Sequence, residues 1–552
     1  MKHICLVLLF SFGFLGFAFA QTDWYVGIDG QDTNGFGASP QSPFATINYA
    51  TDYLNPGDTL FVLGGNYYNK NYGSGNVWNT ENTVKINHLH GEPGAFITFK
   101  PFDGQDVIFK GDGGNIFRMS NCSYLRIEGF EMYGEVENIS LETALAYQFM
   151  YKDVNGNIHY RVEPGTPPEV VDTMTFPVLT NIKRPAYTNT RGFYASDCHH
   201  LDILNNLVHH APGTGFRVAR GDYINAIGNE VHNCSRKSYS GTHAFVFHSS
   251  TSYDNSEASK ILIARNHVHN NYNEIYSWAP SKTFITPLID EGKGISMQSN
   301  DPIDGWTHGR IQIENNLTYH NGFSGIHVNG GSRMDIVNNT VFDNFASGRG
   351  NNTGISLQSG SDIQIINNIA VSNNDWGGHA ISAGNSSGLT VSHNLVSGLI
   401  DQDINAVDEQ TTFQDPLFKD PEDFDFSLQA NSPAIGMALV AMAPQADFLG
   451  HIRDAQPDVG AFEYPLGNSL DTAEENSQLV IFPNPGRQFF IVRGVPPGSP
   501  IRIFDVLGKD LTWKTSPLKL GAGEWQLDCS ALGVGMYFVS ISGYGASAVF
   551  KE

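Results

Sequence analysis

The middle of the chain repeats a short alternation of apolar and polar positions. Between about Gly114 and Gly398, each repeat contains a first strand that opens with Gly or Ala, a turn, and a second strand. An Asn, two or three apolar positions and usually another Asn then follow. Alternation with a period of two residues is typical of β-strands rather than of helices. The pattern therefore predicts many short strands, arranged in repeated units that stack on one another.

One Asn aligns in every repeat, at intervals of 23 to 50 residues. Asn tolerates the left-handed turn between two strands, and stacked side-chain amides can form hydrogen bonds from one coil to the next. We interpret this column as architectural, in preference to a row of sugar-binding amides. Its members are Asn206, Asn229, Asn266, Asn316, Asn339, Asn368 and Asn394.

Stacked repeats of this kind predict an all-β parallel solenoid, in which the apolar positions of successive coils form one continuous core. A chain of 552 residues with 58 Gly and only 16% charged residues fits short strands and tight turns better than long helices. Residues 21–113 are expected to form an N-terminal cap, with a short helix from about Phe44 to Leu54, and the first coils. The remaining coils are expected over residues 114–464.

The closing segments DPLFKDPEDFDFSLQANSPAIG and DVGAFEY, the NNxVxxN coils and the N-terminal cap resemble extracellular proteins of the pectate-lyase-like superfamily. The resemblance extends from about Trp24 to Tyr464. It implies a right-handed parallel β-helix and an action on polysaccharides, but these motifs specify the fold far better than the reaction.

The C-terminal part reads as a separate small β-sandwich, over residues 478–552, after a linker at residues 465–477. Its segments LVIFPNPGRQFFI, IRIFDVLGKDL and GMYFVSISGYGASAVFKE resemble the sorting domain of the type IX secretion system of Bacteroidetes. This resemblance implies handling by that machinery and export across the outer membrane, followed by release or surface attachment. The alternative is a carbohydrate-binding sandwich.

Residues 1–20 have the features of a signal peptide, because Lys2 and His3 precede an apolar run that ends in Ala18-Phe19-Ala20. A membrane anchor is the alternative, but the run is short for a bilayer span. Its removal would leave four cysteines, which we expect to be buried thiols; a disulfide among Cys122, Cys198 and Cys234 is the alternative.

The net charge of −24 argues against nucleic acid or an anionic membrane as a partner. The first strands nevertheless place basic and polar side chains on neighbouring coils, in columns that alternation with the core predicts to face outward. Such a local collection of positive charge is costly unless it meets an anion. The candidate residues of this face are Arg191, Tyr194, Arg217, Arg220, His243, His248, Lys293, Gln298 and His327. The alternative is a solvated face that is paired with acids from nearby loops.

Three insertions, at about residues 135–189, 249–259 and 272–292, flank these coils and could form the walls of a cleft. In the third, Tyr276 and Trp278 are candidates for stacking on a sugar ring. Asp197, Asp290 and Glu291 are the acidic side chains that could hold calcium, the one cofactor that we consider. On another sheet, His209, His232 and His269 occupy one column that continues as Tyr319 and Phe342. This column indicates a ring stack in preference to a zinc site.

The pattern favours a polysaccharide lyase, an enzyme that cleaves a uronate-containing glycan by β-elimination. Such a reaction needs a cation to neutralise the uronate carboxylate and a base with a lowered pKa. Arg217 fits the first role and Lys293 the second, with His243 or His248 as the competing base.

Three alternatives stay open. A dehydratase or an epimerase that acts on uronates begins with the same proton abstraction. A glycoside hydrolase needs two carboxyl groups, which the outward columns lack. A non-catalytic glycan-binding surface protein would tolerate the loss of Lys293.

Overall fold

The computed structural model describes most of the repeat region and separate strands of the C-terminal domain. The predicted signal peptide at residues 1–20 lies outside the described residues. The description covers residues 21–146, 150–152, 158–160, 169–170, 187–275, 289, 291–347, 354–372, 378–400, 407–408, 410–465, 480–482, 489–493, 501–505, 511–521, 524–533, 535–541 and 545–551.

The repeat region is a parallel β-helix in which each coil contributes strands to three faces. The first face consists of Asn82–Asn87, Asn115–Ser120, Arg191–Ser196, Phe216–Ala219, Phe245–His248, Ile295–Asn300, Ile326–Val337, Ile355–Ile366, His379–Ala383 and Leu399–Ile400. The second face consists of Asp23–Val26, Thr59–Val62, Ile97–Pro101, Ser123–Glu128, His199–Leu204, Asp222–Ile227, Ser259–Ala264, Arg310–Glu314 and Ser386–Ser392, together with the second halves of the two long strands of the first face.

The third face is a separate sheet. It consists of Gly65–Tyr68, Val107–Gly111, Glu131–Gly134, Leu207–His209, Glu230–His232, His267–His269, Leu317–Tyr319, Thr340–Phe342, Ile369–Val371, Leu395–Ser397 and Thr412–Phe413. The parallel pairing within all three faces confirms the predicted solenoid.

The interior of the coils is a continuous apolar core, as the alternation predicts. Phe117, Phe193, Phe216 and Phe245 are fully buried and stack along the axis, with successive ring centroids 5.5, 4.7 and 4.2 Å apart. Rings at these distances add stacking energy to the free energy gained by burial. The core therefore fixes the rotational position of each coil against the next.

The predicted Asn column is confirmed as an architectural element. Each member is buried, and its amide nitrogen donates to the side-chain oxygen of the next member at 2.9–3.1 Å. The same oxygen accepts the backbone N–H of the preceding member, as Asn339 Oδ1 does from Asn316 N at 2.9 Å. The column thus satisfies backbone groups that would otherwise be left unpaired at the turn.

The N-terminal cap contains the predicted helix, but it is a single turn, Ile47–Ala50, that Thr46 caps. At the other end, residues 410–465 pack on the third face and bury Phe418 and Phe426 against Tyr319 and Leu395. This segment includes the antiparallel pair Phe418–Asp420 and Asp425–Leu428. The N-terminal cap and residues 410–465 each cover apolar surface that uncovered coils would expose.

The first insertion contains the helix Leu141–Ala146 and an antiparallel sheet of Met150–Lys152, Ile158–Tyr160 and Glu169–Val170. Within the described residues, no helix is long and apolar enough to span a bilayer. Short 3₁₀ helices occur at Phe102–Gly104, Val136–Asn138, Tyr187–Asn189, Pro421–Asp423 and Thr512–Lys514.

The C-terminal domain consists of two antiparallel sheets around its own buried core, as a small sandwich requires. Its strands are Val480–Phe482, Phe489–Arg493, Ser516–Gly521 and Glu524–Asp528 in one sheet, and Ile501–Asp505, Gly535–Ile541 and Gly545–Lys551 in the other. The four cysteines of the described residues are buried free thiols, as expected. The alternative of a disulfide does not occur in this structure.

Candidate functional site

The first-face strands pair in the register that the repeat alignment predicts. Phe193 lies opposite Phe216, which lies opposite Phe245, and the register continues through Ile295 and Ile326. Neighbouring strands of a sheet are about 4.8 Å apart. The candidate side chains are therefore on consecutive rungs, where long basic side chains can reach one another.

Two arginines lie over one tyrosine ring at the N-terminal end of these rungs, and a third arginine is a register neighbour of that tyrosine. Arg118, Tyr194 and Arg217 are register neighbours on three successive strands. The guanidinium carbons of Arg118 and Arg191 lie 5.7 and 5.3 Å from the centroid of the Tyr194 ring. We call Arg118, Arg191 and Arg217 the arginine cluster.

Two members of the arginine cluster, Arg118 and Arg217, have poorly compensated guanidinium groups. The Nε atoms of Arg118 and Arg217 are buried without a hydrogen-bond partner, and neither side chain forms an ion pair with any described carboxylate. Burial and then the charge of Arg191 lower the pKa of Arg217 below its usual value. Because a buried charge needs a partner, Arg217 is suited to bind an anion.

Arg118 is a member of the arginine cluster, but it was not among the candidate residues predicted from the sequence. The segment NIFRMS aligns with RGFYAS one coil later, so an alignment that extended one coil toward the N-terminus would have found it.

His248 and Gln298 lie beside the arginine cluster, at matching positions on two successive strands. Burial and, after it, the positive charge of Arg217 lower the pKa of His248. Its Nδ1 is 2.9 Å from Ser249 Oγ, and Gln298 donates to Ser296 Oγ at 3.2 Å. At neutral pH, His248 is therefore a neutral imidazole that can accept a proton.

Arg220 is paired, in contrast to the arginine cluster. Its guanidinium donates two hydrogen bonds to the carboxylate of Asp197, at 2.5 and 2.6 Å. Both side chains are exposed, so this pair lies at the rim of the site. Asp197, one of the three acids considered for calcium, is therefore engaged with a cation.

A second group of candidate side chains lies further along the axis and is enclosed. Lys293 Nζ is 3.0 Å from Glu291 Oε2, and His243 Nε2 is 3.5 Å from the same oxygen. His327 Nδ1 is 2.7 Å from Ser356 Oγ, and burial together with Lys293 lowers the pKa of His327 well below its usual value. We call His243, Glu291, Lys293 and His327 the lysine cluster.

The expectation that the column of Lys293 faces solvent is wrong. Thr214, His243, Lys293 and Ser324 are only 3, 4, 8 and 0% exposed. The Gly or Ala that follows each of them faces the core: a Cβ added to Gly215 would lie 2.6 Å from Val231 Cγ1. The alternation of inward and outward side chains is therefore interrupted at the start of each first-face strand. The side chain that precedes the Gly or Ala is enclosed in the turn that leads from the third face to the first.

Tyr276, Trp278 and Asp290 lie outside the described residues, so their proposed roles stay predictions. Calcium binding by Asp197, Asp290 and Glu291 also stays a prediction.

The predicted ring stack on the third face is present from His209 to Tyr319, but the ring that stacks on Tyr319 is Phe424 and not the predicted Phe342. The rings of His209, His232, His269 and Tyr319 follow one another with centroids 4.9, 5.0 and 4.9 Å apart and interplanar angles of 12–13°.

Two parts of the chain match known families. Residues 258–414 match the family described as right handed beta helix region. Residues 480–551 match the family described as secretion system C-terminal sorting domain. These matches confirm the predicted right-handed β-helix and the predicted export through type IX secretion, with release or surface attachment.

No curated protein matches the chain. Among solved structures, pectate lyase Pel9A is 16% identical, with a TM-score of 0.43 over 81% of this chain and 97% of that one. A rhamnogalacturonan lyase is 14% identical, with a TM-score of 0.37 over 79% and 95%. A lacto-N-biosidase from Eubacterium ramulus is 12% identical, with a TM-score of 0.37 over 69% and 57%.

Proposed function

We propose that this protein is a secreted polysaccharide lyase that cleaves a uronate-containing glycan by β-elimination. The observation that carries the proposal is the guanidinium of Arg217, which has a buried Nε without a hydrogen-bond partner and no ion pair among the described residues. A uronate carboxylate supplies the missing negative charge, and its two oxygens match the fork of a guanidinium.

The reaction requires a proton to leave the carbon next to the carboxylate. The electrons of that C–H bond form a carbon–carbon double bond, the glycosidic C–O bond at the next carbon breaks, and the departing oxygen takes up a proton. Arg217 and Arg191 would stabilise the negative charge that develops on the carboxylate as the proton leaves. This stabilisation is stronger in the transition state than in the ground state, which is the condition for catalysis.

We assign the proton acceptor to His248. Its imidazole lies close enough to Arg217 for that charge to help lower its pKa, so it is neutral at neutral pH. Lys293, the base favoured by the sequence, is buried and held by Glu291 at 3.0 Å. That contact engages the terminal nitrogen of Lys293 with a carboxylate. Lys293 therefore suits a role in positioning the site.

One assay separates the candidate activities. The purified mature protein is incubated with a panel of uronate-containing polysaccharides, and the absorbance of unsaturated uronate and the product size are recorded. A lyase gives shorter products with new absorbance. A dehydratase gives absorbance without shortening, and a hydrolase gives shortening without absorbance. Retention on a glycan column with neither signal indicates a binding protein.

An epimerase gives neither signal but incorporates deuterium from heavy water into the glycan. Addition of a chelator to the same assay tests whether calcium is needed. The assignment of the base is tested with His248→Ala and Lys293→Ala. If His248→Ala keeps full activity while Lys293→Ala loses it, our assignment of the base to His248 is wrong.

A further inference from the structure

The third face carries two imidazoles and a carboxylate that neither the arginine cluster nor the lysine cluster includes. Glu230 and His267 are register neighbours on adjacent strands, and His269 follows two residues after His267 on the same side of its strand. Glu230 Oε1 is 3.0 Å from His269 Nε2 and 3.7 Å from His267 Nδ1. One donor atom from each residue lies within 4.8 Å of the other two.

The two separations that involve Glu230 suit a tetrahedral metal site. A zinc ion with tetrahedral N and O ligands at about 2.0–2.1 Å holds neighbouring ligand atoms about 3.4 Å apart. The two distances from Glu230 Oε1, 3.0 and 3.7 Å, bracket that value. Three protein ligands would leave one coordination position open, and the side chains of His267, His269 and Glu230 retain 26, 12 and 19% exposure, through which an ion can enter.

The other ring nitrogens of both histidines are oriented by neighbours. His267 Nε2 is 3.1 Å from the hydroxyl of Tyr319, which can accept its N–H and leave Nδ1 as the ligand. His269 Nδ1 is 3.1 Å from Nδ2 of Asn270, so the amide as oriented donates to the ring. When the amide is rotated by 180°, its oxygen accepts the Nδ1–H and leaves Nε2 as the ligand. Such partners are the usual support of metal-bound histidines.

We propose that Glu230, His267 and His269 form a binding site for a divalent transition-metal ion, with zinc as the expected occupant. Two imidazoles and one carboxylate favour zinc or its neighbours over calcium, which prefers a set of oxygen ligands. The ion would link two adjacent coils at the point where the chain enters the 272–292 insertion. The three ligands differ from the column of His209, His232 and His269, and only His269 is common to both sets.

The test uses the full-length mature protein without an affinity tag, stripped of metal by a chelator and titrated with zinc chloride in a calorimeter. The expected result is one zinc ion per chain, and a rise of the melting temperature with zinc because the ion binds the folded state. Cobalt chloride should give the visible absorption of a low-symmetry Co²⁺ site. Glu230→Gln and His269→Gln should each weaken zinc binding at least tenfold.

The matched control is His209→Gln. His209 Nε2 makes the same kind of contact with Glu131 Oε1, at 3.1 Å, but that pair is not part of a group of three potential ligands among the described residues. This variant should bind zinc as the wild type does. Circular dichroism establishes that each variant is folded. Absence of zinc and cobalt binding by the wild type overturns the proposal, and so does equal binding by folded Glu230→Gln and His269→Gln. Neither result bears on the proposed lyase activity, because that activity is measured in a separate assay.

Discussion

At the scale of single residues, Arg217 is the side chain on which the proposed chemistry depends most. We expect Arg217→Met to lower kcat/KM about 10- to 100-fold, because a hydrogen bond to a charged group contributes about 1.5–3 kcal/mol. Arg217→Lys should recover only part of this loss, since an ammonium cannot bind two carboxylate oxygens as a planar fork does. Steady-state kinetics on the active glycan measure both variants.

The control for this prediction is Arg333→Met. Arg333 is paired with Glu257 at 2.5 Å on the surface, and it belongs to neither cluster. It should leave kcat/KM unchanged. An unchanged kcat/KM for Arg217→Met would instead mean that the arginine cluster does not hold the substrate.

The second residue-scale prediction concerns the pKa of His248, which burial and then Arg217 lower. A nearby positive charge disfavours the imidazolium, so its removal must raise the pKa of the imidazole. In Arg217→Met we therefore expect the pKa of His248 to rise toward its usual value, while the part of the shift caused by burial remains. Titration of the imidazole C–H resonances by NMR checks this, with His248→Asn to assign the signal.

The lowered pKa of His248 also determines how activity should depend on pH. If His248 is the base, activity is present while the ring is neutral and is lost as the pH falls through its lowered pKa. The acid limb of kcat/KM in the wild type should therefore lie below the usual pKa of histidine, about 6.5. An acid limb above that value contradicts the assignment of His248.

At the scale of structural elements, the Asn column holds each coil to the next. Asn316 accepts from the backbone and side-chain amides of Asn266, and it donates to Asn339 and to the carbonyl of Ile263. We expect Asn316→Ala to lower the free energy of unfolding by about 3 kcal/mol, because it leaves buried groups unpaired. Thermal and denaturant unfolding measure the change.

Asn225→Ala is the matched control, since Asn225 is exposed and makes one side-chain hydrogen bond, to Asp202. It should cost less than about 1 kcal/mol. A similar cost for both variants would mean that the column contributes no more than a surface amide.

The structural elements also show why some features of the fold and site could be predicted from the sequence and others could not. The coil register was predictable, because Phe, Ile and Asn recur at fixed positions and a parallel stack places equivalent residues side by side. The enclosure of Lys293 was not predictable. Alternation indicates which face of a sheet a side chain lies on only within a regular strand, and Lys293 precedes the strand Ile295–Asn300. The contact of Glu291 with His243 joins residues of different coils across a turn, and no local pattern encodes it.

At the scale of the whole molecule, the β-helix carries its different groups of polar side chains on different faces. The arginine and lysine clusters lie at the first face, and the proposed metal ligands lie on the third. With a net charge of −24, the chain repels acidic glycans at long range, so the proposed binding of such a glycan would depend on these local positive groups. The continuous core beneath them lets side chains from separate coils keep fixed positions.

The last prediction concerns the sorting domain, residues 480–551. In a host that has the type IX secretion system, a chain that ends at residue 465 should stay inside the cell, because the signal that the machinery recognises is gone. Residues 465–552 fused to an unrelated soluble passenger with a signal peptide should direct that passenger to the surface or the medium. Fractionation and immunoblotting locate both proteins. Export of the shortened chain would mean that a second signal lies within the β-helix, whereas retention of the fusion would mean that the sorting domain needs the β-helix beside it.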